Sequence, residues 1–430
     1  MSVIGRSLQA AALFFIRRKL EHGLYAGVFP AHSLRLIFVG FVTILTRFAV
    51  SLICALVVAR PIAIAQIQSA DPSDESSSVE IEAFLLVLPK WSASAAVSTS
   101  YGYKDNLLLS FEDEERSPFV RGSLELLLLR LPRDEFEFSF FAEAEGTRYN
   151  AGETVNDDAK IWMQTEPAYR IGETLKFALP VTGYYYDQVF DVSDTEVERL
   201  VAELKVRGVM IGPLVRWDFH RAWWIEAQGV AQRKRYDDGA NDGDVGEGVV
   251  RLGWTRGRWL ETRISGAQRW RDFDSRAQYS LAGRELAGTA LKIEEREGEF
   301  RFDIAWDKEA KWQTSTRLSV LRYRDNGTGY FNFREQEVAH ELEWDAEPWL
   351  VRIGGSASRI DFGAQTVGLG IDPPSRLRDE FTGELYIDRK LGSRWAVFGG
   401  YTWERSRSND AVASYTVNEG LLGVRWSWEK

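Results

Sequence analysis

The 430-residue sequence is poor in the residues that support thiol, imidazole and metal chemistry, with one cysteine and four histidines. A single cysteine, Cys54, excludes an intrachain disulfide framework and a cysteine-rich zinc site. Long apolar runs are also scarce. Only the N-terminal region holds about 20 largely apolar residues in succession, as a spanning helix requires, and the mean hydropathy is −0.26. The composition therefore excludes a helical membrane protein.

The exceptional apolar region covers residues 34–66. Basic residues precede it, its cleanest apolar core covers residues 48–58, and it ends in the small-x-small sequence Ala63-Ile64-Ala65. This order predicts a secretory signal peptide over residues 1–65, cleaved after Ala65. An uncleaved transmembrane anchor is the alternative.

The remainder of the chain is acidic. Residues 66–430 contain 46 Lys and Arg against 62 Asp and Glu, a net charge of −16. Nucleic-acid binding is not expected, because contacts to phosphates need clustered basic residues. Residues 66–90 begin with a stretch rich in Ser, Asp and Glu that has no apolar period, and we predict a polar N-terminal segment there. From Trp91 to Lys430 the pattern is uniform, which predicts a single domain.

Apolar and polar residues alternate with a period of two along residues 91–430. In the stretch EFRFDIAW, Phe300, Phe302 and Ile304 share one face, and charged residues occupy the other. Such alternation indicates half-exposed β-strands. Two architectures fit it: a soluble antiparallel sheet with its apolar face inside, and a membrane barrel with its apolar face outside.

Connection lengths favour the barrel. Short turns are expected near residues 132–134, 171–173, 219–221, 256–258, 307–309, 345–347 and 391–393. Long polar loops are expected near residues 104–116, 149–158, 187–198, 236–246, 273–290, 324–333, 361–377 and 404–414. Seven short turns alternating with eight long loops predict an all-β fold: one transmembrane antiparallel β-barrel of about 16 strands with short periplasmic turns and long external loops. We also expect a bulge at Gly212-Pro213.

The tryptophans cluster around the short turns. Indole rings concentrate at membrane–water interfaces, so these residues are predicted to be interfacial anchors, whereas core residues of a soluble sandwich would lie in mid-strand. The predicted anchors are Trp217, Trp223, Trp254, Trp259, Trp306, Trp312, Trp344, Trp349, Trp395, Trp426 and Trp428.

The opposite strand faces carry charges of both signs. A barrel of this size encloses an aqueous interior, and inward charges tune the passage of ions and solutes. Cross-lumen ion pairs in a closed barrel are the alternative. The predicted lumen-lining residues are Glu203, Lys205, Arg207, Glu226, Arg251, Glu261, Arg263, Arg269, Glu297, Glu299, Arg301, Asp303, Arg317, Arg352 and Glu384.

Candidates for catalysis or metal binding are few. Beyond residue 65 only His220 and His340 remain, and a hydrolase would need one of them beside an inward hydroxyl. No catalytic or cofactor-binding residue is predicted. The acidic loop of residues 236–247 offers oxygen ligands for Ca²⁺, but its spacing differs from that of an EF-hand loop. We therefore expect a solvated loop.

Two short segments resemble known barrels. Tyr101, Tyr103, Asp105 and Asn106 form a Tyr-x-Tyr-x-Asp-Asn stretch that resembles the first strand of porin-like outer-membrane barrels, some of which occur among exopolysaccharide-export genes. The final GLLGVRWSWEK resembles the C-terminal assembly signal of such barrels, although two charged residues follow the last aromatic residue.

The resemblance implies the outer membrane of a Gram-negative bacterium, with membrane lipid and the barrel-assembly machinery as partners. Together with the charged inner face, it leads us to expect a porin-like channel for passive or facilitated passage of small solutes or polysaccharide, and no enzyme. A structural or surface-interaction barrel without an open pore is the alternative, and a membrane hydrolase is the third.

Overall fold

The computed structural model describes residues 90–430 except positions 113, 131–133, 192–200, 238, 240, 308, 369 and 430. The predicted signal peptide and nearly all of the polar segment lie outside the described residues. The first ten strands are β1 (Trp91–Lys104), β2 (Ser117–Arg130), β3 (Phe136–Tyr149), β4 (Asp157–Ile171), β5 (Leu175–Ala178), β6 (Val181–Asp191), β7 (Val201–Ile211), β8 (Leu214–His220), β9 (Trp223–Tyr236) and β10 (Gly243–Arg256).

The other ten strands are β11 (Leu260–Phe273), β12 (Gln278–Tyr279), β13 (Glu285–Leu286), β14 (Lys292–Ala305), β15 (Trp312–Asp325), β16 (Phe333–Ala346), β17 (Trp349–Thr366), β18 (Ser375–Lys390), β19 (Trp395–Ser408) and β20 (Tyr415–Glu429). A 3₁₀ turn covers Ala411–Ala413. Among the described residues, no helix is long and apolar enough to cross a membrane.

The strands form one closed wall. β5 and β6 follow one another as a single wall strand, β7 and β8 do the same, and β12 and β13 form a separate hairpin within a loop. Sixteen antiparallel wall strands result. β1 pairs with β2 on one side and with β20 on the other, from Ser94↔Glu429 to Lys104↔Glu419. The predicted 16-strand barrel is therefore confirmed, and closure leaves no open sheet edge.

Short and long connections alternate around the barrel as predicted. The wall strands meet at one end in tight turns, such as 257–259 and 347–348, and at the other in loops such as 105–116 and 274–291. We call these the short-turn end and the long-loop end.

Two neighbouring wall strands are interrupted by proline, and here one prediction is wrong. Gly212 donates its N–H to the Pro180 carbonyl at 2.9 Å, and Gly229 donates to the Pro213 carbonyl at 3.0 Å. The register is the same on both sides of the gap, since Ile211 faces Val181 and Leu214 faces Ala178. No bulge forms at Gly212-Pro213. Proline removes a ladder donor, but the carbonyls of Pro180 and Pro213 each still accept an N–H from the neighbouring strand, and the alternation of faces continues.

The short turn after β14 shows how one side chain fixes a hairpin. The Asp307 carboxylate accepts backbone N–H groups from Glu309 at 2.9 Å, Lys311 at 3.0 Å and Trp312 at 2.9 Å. The N–H bonds from Trp312 and Lys311 lower the pKa of Asp307 below its usual value, because they stabilise the charged form. The turn therefore depends on an ionised aspartate, a residue type that commonly bonds to nearby backbone in turns.

The first and last strands are joined by the two polar residues after β1. The Asp105 carboxylate accepts the backbone and side-chain N–H groups of Asn418, each at 2.7 Å. The fully buried Asn106 amide donates to the Ser110 and Thr416 carbonyls at 2.7 and 3.1 Å. The motif that resembles porin-like barrels thus ties the loop after β1 to β20 at the seam where the barrel closes.

Candidate functional site

The inner face of the wall carries ion pairs that run from strand to strand. Arg269 on β11 lies between Glu247 on β10, at 3.3 Å, and Glu295 on β14, which it contacts closely. All three side chains are about one-eighth exposed. One guanidinium thus joins carboxylates from two neighbouring strands, and the inward cations Lys234 and Arg271 lie close to Glu295 as well.

Similar pairs recur around the barrel. Arg251 donates to Glu226 at 2.6 Å, and Arg317 donates to both carboxylate oxygens of Glu337 at 2.7 and 2.9 Å. Further inward pairs include Arg263–Glu299 at 3.4 Å, Arg352–Glu343 at 2.7 Å and Arg425–Asp388 at 2.5 Å. Alternating signs hold these long side chains against the wall, where the arginines stay partly solvated while Asp388 and Glu343 are buried.

Most of the predicted lumen-lining residues share the inward face. On β14 they alternate with Phe300, whose side chain is exposed on the outer face. The residues that the structure places inward are Glu226, Arg251, Glu261, Arg263, Arg269, Glu297, Glu299, Arg301, Asp303, Arg317, Arg352 and Glu384.

The predicted inward direction is wrong for Lys205 and Arg207. Both share the face of β7 that carries Val209 and Ile211, which are exposed on the outer surface. Lys205 pairs with Asp187 of β6 at 2.9 Å, again on that face. These positions lie towards the long-loop end, where the outer wall meets polar surroundings, so charge there does not indicate the lumen. Glu203 lies on β7, but its side chain is outside the described part.

The inner wall also carries an apolar patch that the sequence patterns did not predict. It spans β2 to β7 and comprises Leu127, Leu129, Phe141, Trp162, Tyr184, Tyr186 and Val206. Trp162 and Tyr184 stack with ring centroids 6.0 Å apart, and a Cβ at Gly208 would overlap the Tyr184 ring. The available signal was the run of three tyrosines on β6, which must place aromatic rings on both faces.

A charged cavity of about 350 Å³ lies inside the wall near the short-turn end. Lys176 lies between Glu137, at 2.9 Å, and Glu166, at 3.6 Å. Arg216 contacts Asp218 at 2.9 Å on β8. Except for Glu137, these side chains line the cavity together with Ser139, Phe141, Gln164, Arg170, Leu214 and Glu226. The arrangement provides donors and acceptors for a hydrated polar solute.

The outer face carries a belt of indoles at the short-turn end. Register pairs place them side by side: Trp223 opposite Trp254, Trp312 opposite Trp344 and Trp395 opposite Trp426. The rings of Trp312 and Trp344 stack at 5.7 Å, and the Trp306 indole N–H donates to Thr314 Oγ1 at 3.0 Å. Trp217, Trp259, Trp349 and Trp428 lie at the same end. Between this belt and the long-loop end, most large outward side chains are apolar and exposed, as on a lipid-facing surface.

Neither histidine is placed for hydrolysis inside the barrel. His340 Nδ1 lies 2.8 Å from Thr316 Oγ1, but both residues occupy the outward face between exposed aliphatic positions. His220 accepts the N–H of Ala222 at 3.2 Å in a short turn. The hydroxyl–imidazole contact therefore points away from the lumen.

Carboxylates of the acidic loop accept hydrogen bonds from nearby groups of the protein. Asp242 accepts the Tyr236 N–H at 2.6 Å, and Asp244 accepts from Arg233 at 2.6 Å. In the part of the chain that the structure describes, no group of three Asp, Glu, His or Cys side chains is arranged to hold a metal ion. The expectation that no cofactor binds stays a prediction.

The comparisons with known proteins give low similarity. No protein-family model matches the chain, and no curated protein matches it. Among solved structures, OccAB1 of Acinetobacter baumannii matches with a TM-score of 0.45 and 10% identity over 80% of this chain and 97% of that chain. The outer-membrane-expressed OmpT of Vibrio cholerae gives 0.42 and 10% over 79% and 99%. OccK7 (OpdD) of Pseudomonas aeruginosa gives 0.41 and 9% over 80% and 100%.

The structure of the barrel wall defines the class of the protein. Sixteen antiparallel strands close on themselves, apolar side chains face outward, charged pairs face inward, and an indole belt surrounds one end. This combination defines an outer-membrane β-barrel of a bacterium.

Proposed function

We propose that this barrel is a porin-like channel through which small hydrophilic solutes cross the outer membrane passively. The supporting observation is the closed 16-strand wall whose inner face is lined by ion-paired charges. A wall of this strand number is wide enough to enclose an aqueous channel. Side chains of both signs let water and polar solutes pass without full loss of their hydration partners.

The inner charges also suggest a preference among ions. The two carboxylates beside Arg269 attract cations, the nearby Arg271 and Lys234 repel them, and the balance of these charges sets the preference at that level. Polysaccharide as cargo is the finer form of the proposal. It draws on the resemblance of the Asp105-Asn106 stretch and on the aromatic inner patch, since flat apolar rings can stack on sugar faces.

Conductance of the purified protein in planar bilayers tests the channel. We expect stepwise, ohmic current increments, and faster swelling of protein-containing vesicles in small neutral sugars than in large ones. A barrel that inserts but carries no current would contradict the proposal and would favour the structural or surface-interaction alternative. Block of the current by a soluble polysaccharide, but not by its monosaccharide, would support the finer form.

A further inference from the structure

Three arginines lie side by side on the outer face at the long-loop end. Arg296 of β14 is in register with Arg322 of β15, and Arg322 is in register with Arg334 of β16. Directly paired residues on adjacent strands have Cβ atoms about 5 Å apart. We call these three residues the arginine row. It places three positive charges across about 10 Å of the outer wall.

The protein itself neutralises only part of this charge, since two outward carboxylates lie beside the row: Glu294 next to Arg296, and Asp361, which is opposite Arg334 in register. Arg296 bonds to Glu294 at 2.7 Å. Among the described residues, Arg322 and Arg334 make no hydrogen bond or ion pair, and both are exposed. Like charges directly opposite each other destabilise a sheet. An external anion therefore has a physical role at this site.

Nearby outward arginines show a different arrangement. Arg233 contacts both Asp244 and Asp274, and Arg359 contacts Asp379 at 3.1 Å. Some outward arginines of this barrel are thus paired within the protein, and in the described part of the chain Arg322 and Arg334 are among those that are not.

The distance between the arginine row and the indole belt gives the level of the row in the membrane. Arg322 lies ten residues from Trp312 on β15, and Arg334 lies ten residues from Trp344 on β16. Ten residues span about 33 Å along a strand, or about 25 Å along the membrane normal at a tilt of about 40°. This equals the height of the apolar band of a typical barrel, about 25 Å.

Other residues mark the same interface. Trp270 of β11 is 44% exposed on the outer face, directly opposite Glu294. Val320 is the next outward residue from Arg322 towards the short-turn end, and its side chain is 42% exposed. The row therefore lies where lipid acyl chains end and headgroups begin.

We propose that the arginine row binds the phosphate groups of an anionic lipid in the outer leaflet. The planar guanidinium groups match phosphate oxygens in bidentate geometry. The exposed valine below the row would contact the acyl chains of the same lipid. This apolar neighbour is why a membrane lipid fits the site better than a free anion.

Native mass spectrometry of the full barrel in detergent tests the proposal without any variant. The protein is mixed with diphosphorylated lipid A, its monophosphorylated form, or phosphatidylcholine. We expect retained lipid to decrease in that order. Equal retention of all three would overturn the proposal, and so would release of the bound lipid by millimolar inorganic phosphate.

Matched variants locate the site. Arg322→Gln removes an unpaired outward guanidinium, whereas Arg359→Gln removes one already paired within the protein. We expect Arg322→Gln to weaken binding of diphosphorylated lipid A about fivefold and Arg359→Gln to leave it near wild type. Equal binding by Arg322→Gln and wild type, or equal losses in both variants, would contradict the assignment. The shift in gel mobility on heating checks that each variant folds. If Arg322→Gln does not fold, the comparison of the three lipids on the wild-type protein still tests the proposal.

Discussion

Adjacent residues of β15 provide a direct test of which face meets lipid. Leu318 is 45% exposed and lies outward between the exposed Val338 and Phe300. Ser319, the next residue, faces inward and is paired in register with Glu299 and Glu337. Leu318→Arg and Ser319→Arg thus add the same side chain one position apart on opposite faces.

The structure gives the expected size of the difference. Leu318 is six residues from Trp312 and four from Arg322, which places it near the middle of the apolar band. Arginine at the bilayer midplane of a barrel costs about 2–4 kcal/mol. Ser319→Arg places a cation in the aqueous lumen beside Glu299 and Glu337, which Arg263 and Arg317 already contact, so its cost is expected to be small. The two unfolding constants should differ about 30-fold to several-hundred-fold.

Denaturant unfolding in lipid vesicles measures these free energies, with tryptophan fluorescence as the signal for folding. Ser319→Arg should match the wild-type midpoint, and Leu318→Arg should unfold at clearly lower denaturant. Equal midpoints for the two variants, or a greater loss in Ser319→Arg, would refute the assignment of faces on which the inner charge pairs and the outer arginine row both depend.

Two further predictions concern the inner wall and the turn after β14. Arg269→Gln leaves Glu247 and Glu295 without their shared cation, so the reversal potential in a salt gradient should shift towards cation selectivity; an unchanged potential would place these residues away from the ion path. Asp307 has a lowered pKa in the folded state, so its stabilising effect is complete above the ordinary aspartate pKa and is lost as the pH falls through the lowered value. Asp307→Asn should therefore flatten the acid side of the stability–pH profile, measured by thermal melting, and an unchanged acid slope would contradict this role.

Much of the fold could be predicted because barrel strands follow local rules. A period of two assigns faces, turn residues mark the hairpins, and indoles mark an interface, so the strand number and the short-turn end were evident without coordinates. The sequence indicates an interruption at Gly212-Pro213, but it does not show that the register stays unchanged there. Whether a proline shifts the register depends on which N–H groups of the neighbouring strands reach its carbonyl, and those strands are separate segments of the chain.

The errors on β7 have a similar cause. Lys205 and Arg207 are charged, and charge on a barrel strand suggests the lumen only within the height of the apolar band. Towards the long-loop end, the outer face also meets water and headgroups. The height of a residue along a tilted strand depends on strand stagger, which pairing with neighbours determines.

The sequence by itself determined that this protein is an antiparallel barrel of 16 strands, where the indole belt lies, and which face of most strands is charged. These features depend on patterns within ten to fifteen successive residues. Only the tertiary structure decided which charges meet, since Arg269 joins carboxylates from two other strands. It also decided that Arg296, Arg322 and Arg334 form one row, because register between strands brings residues together that no local pattern connects.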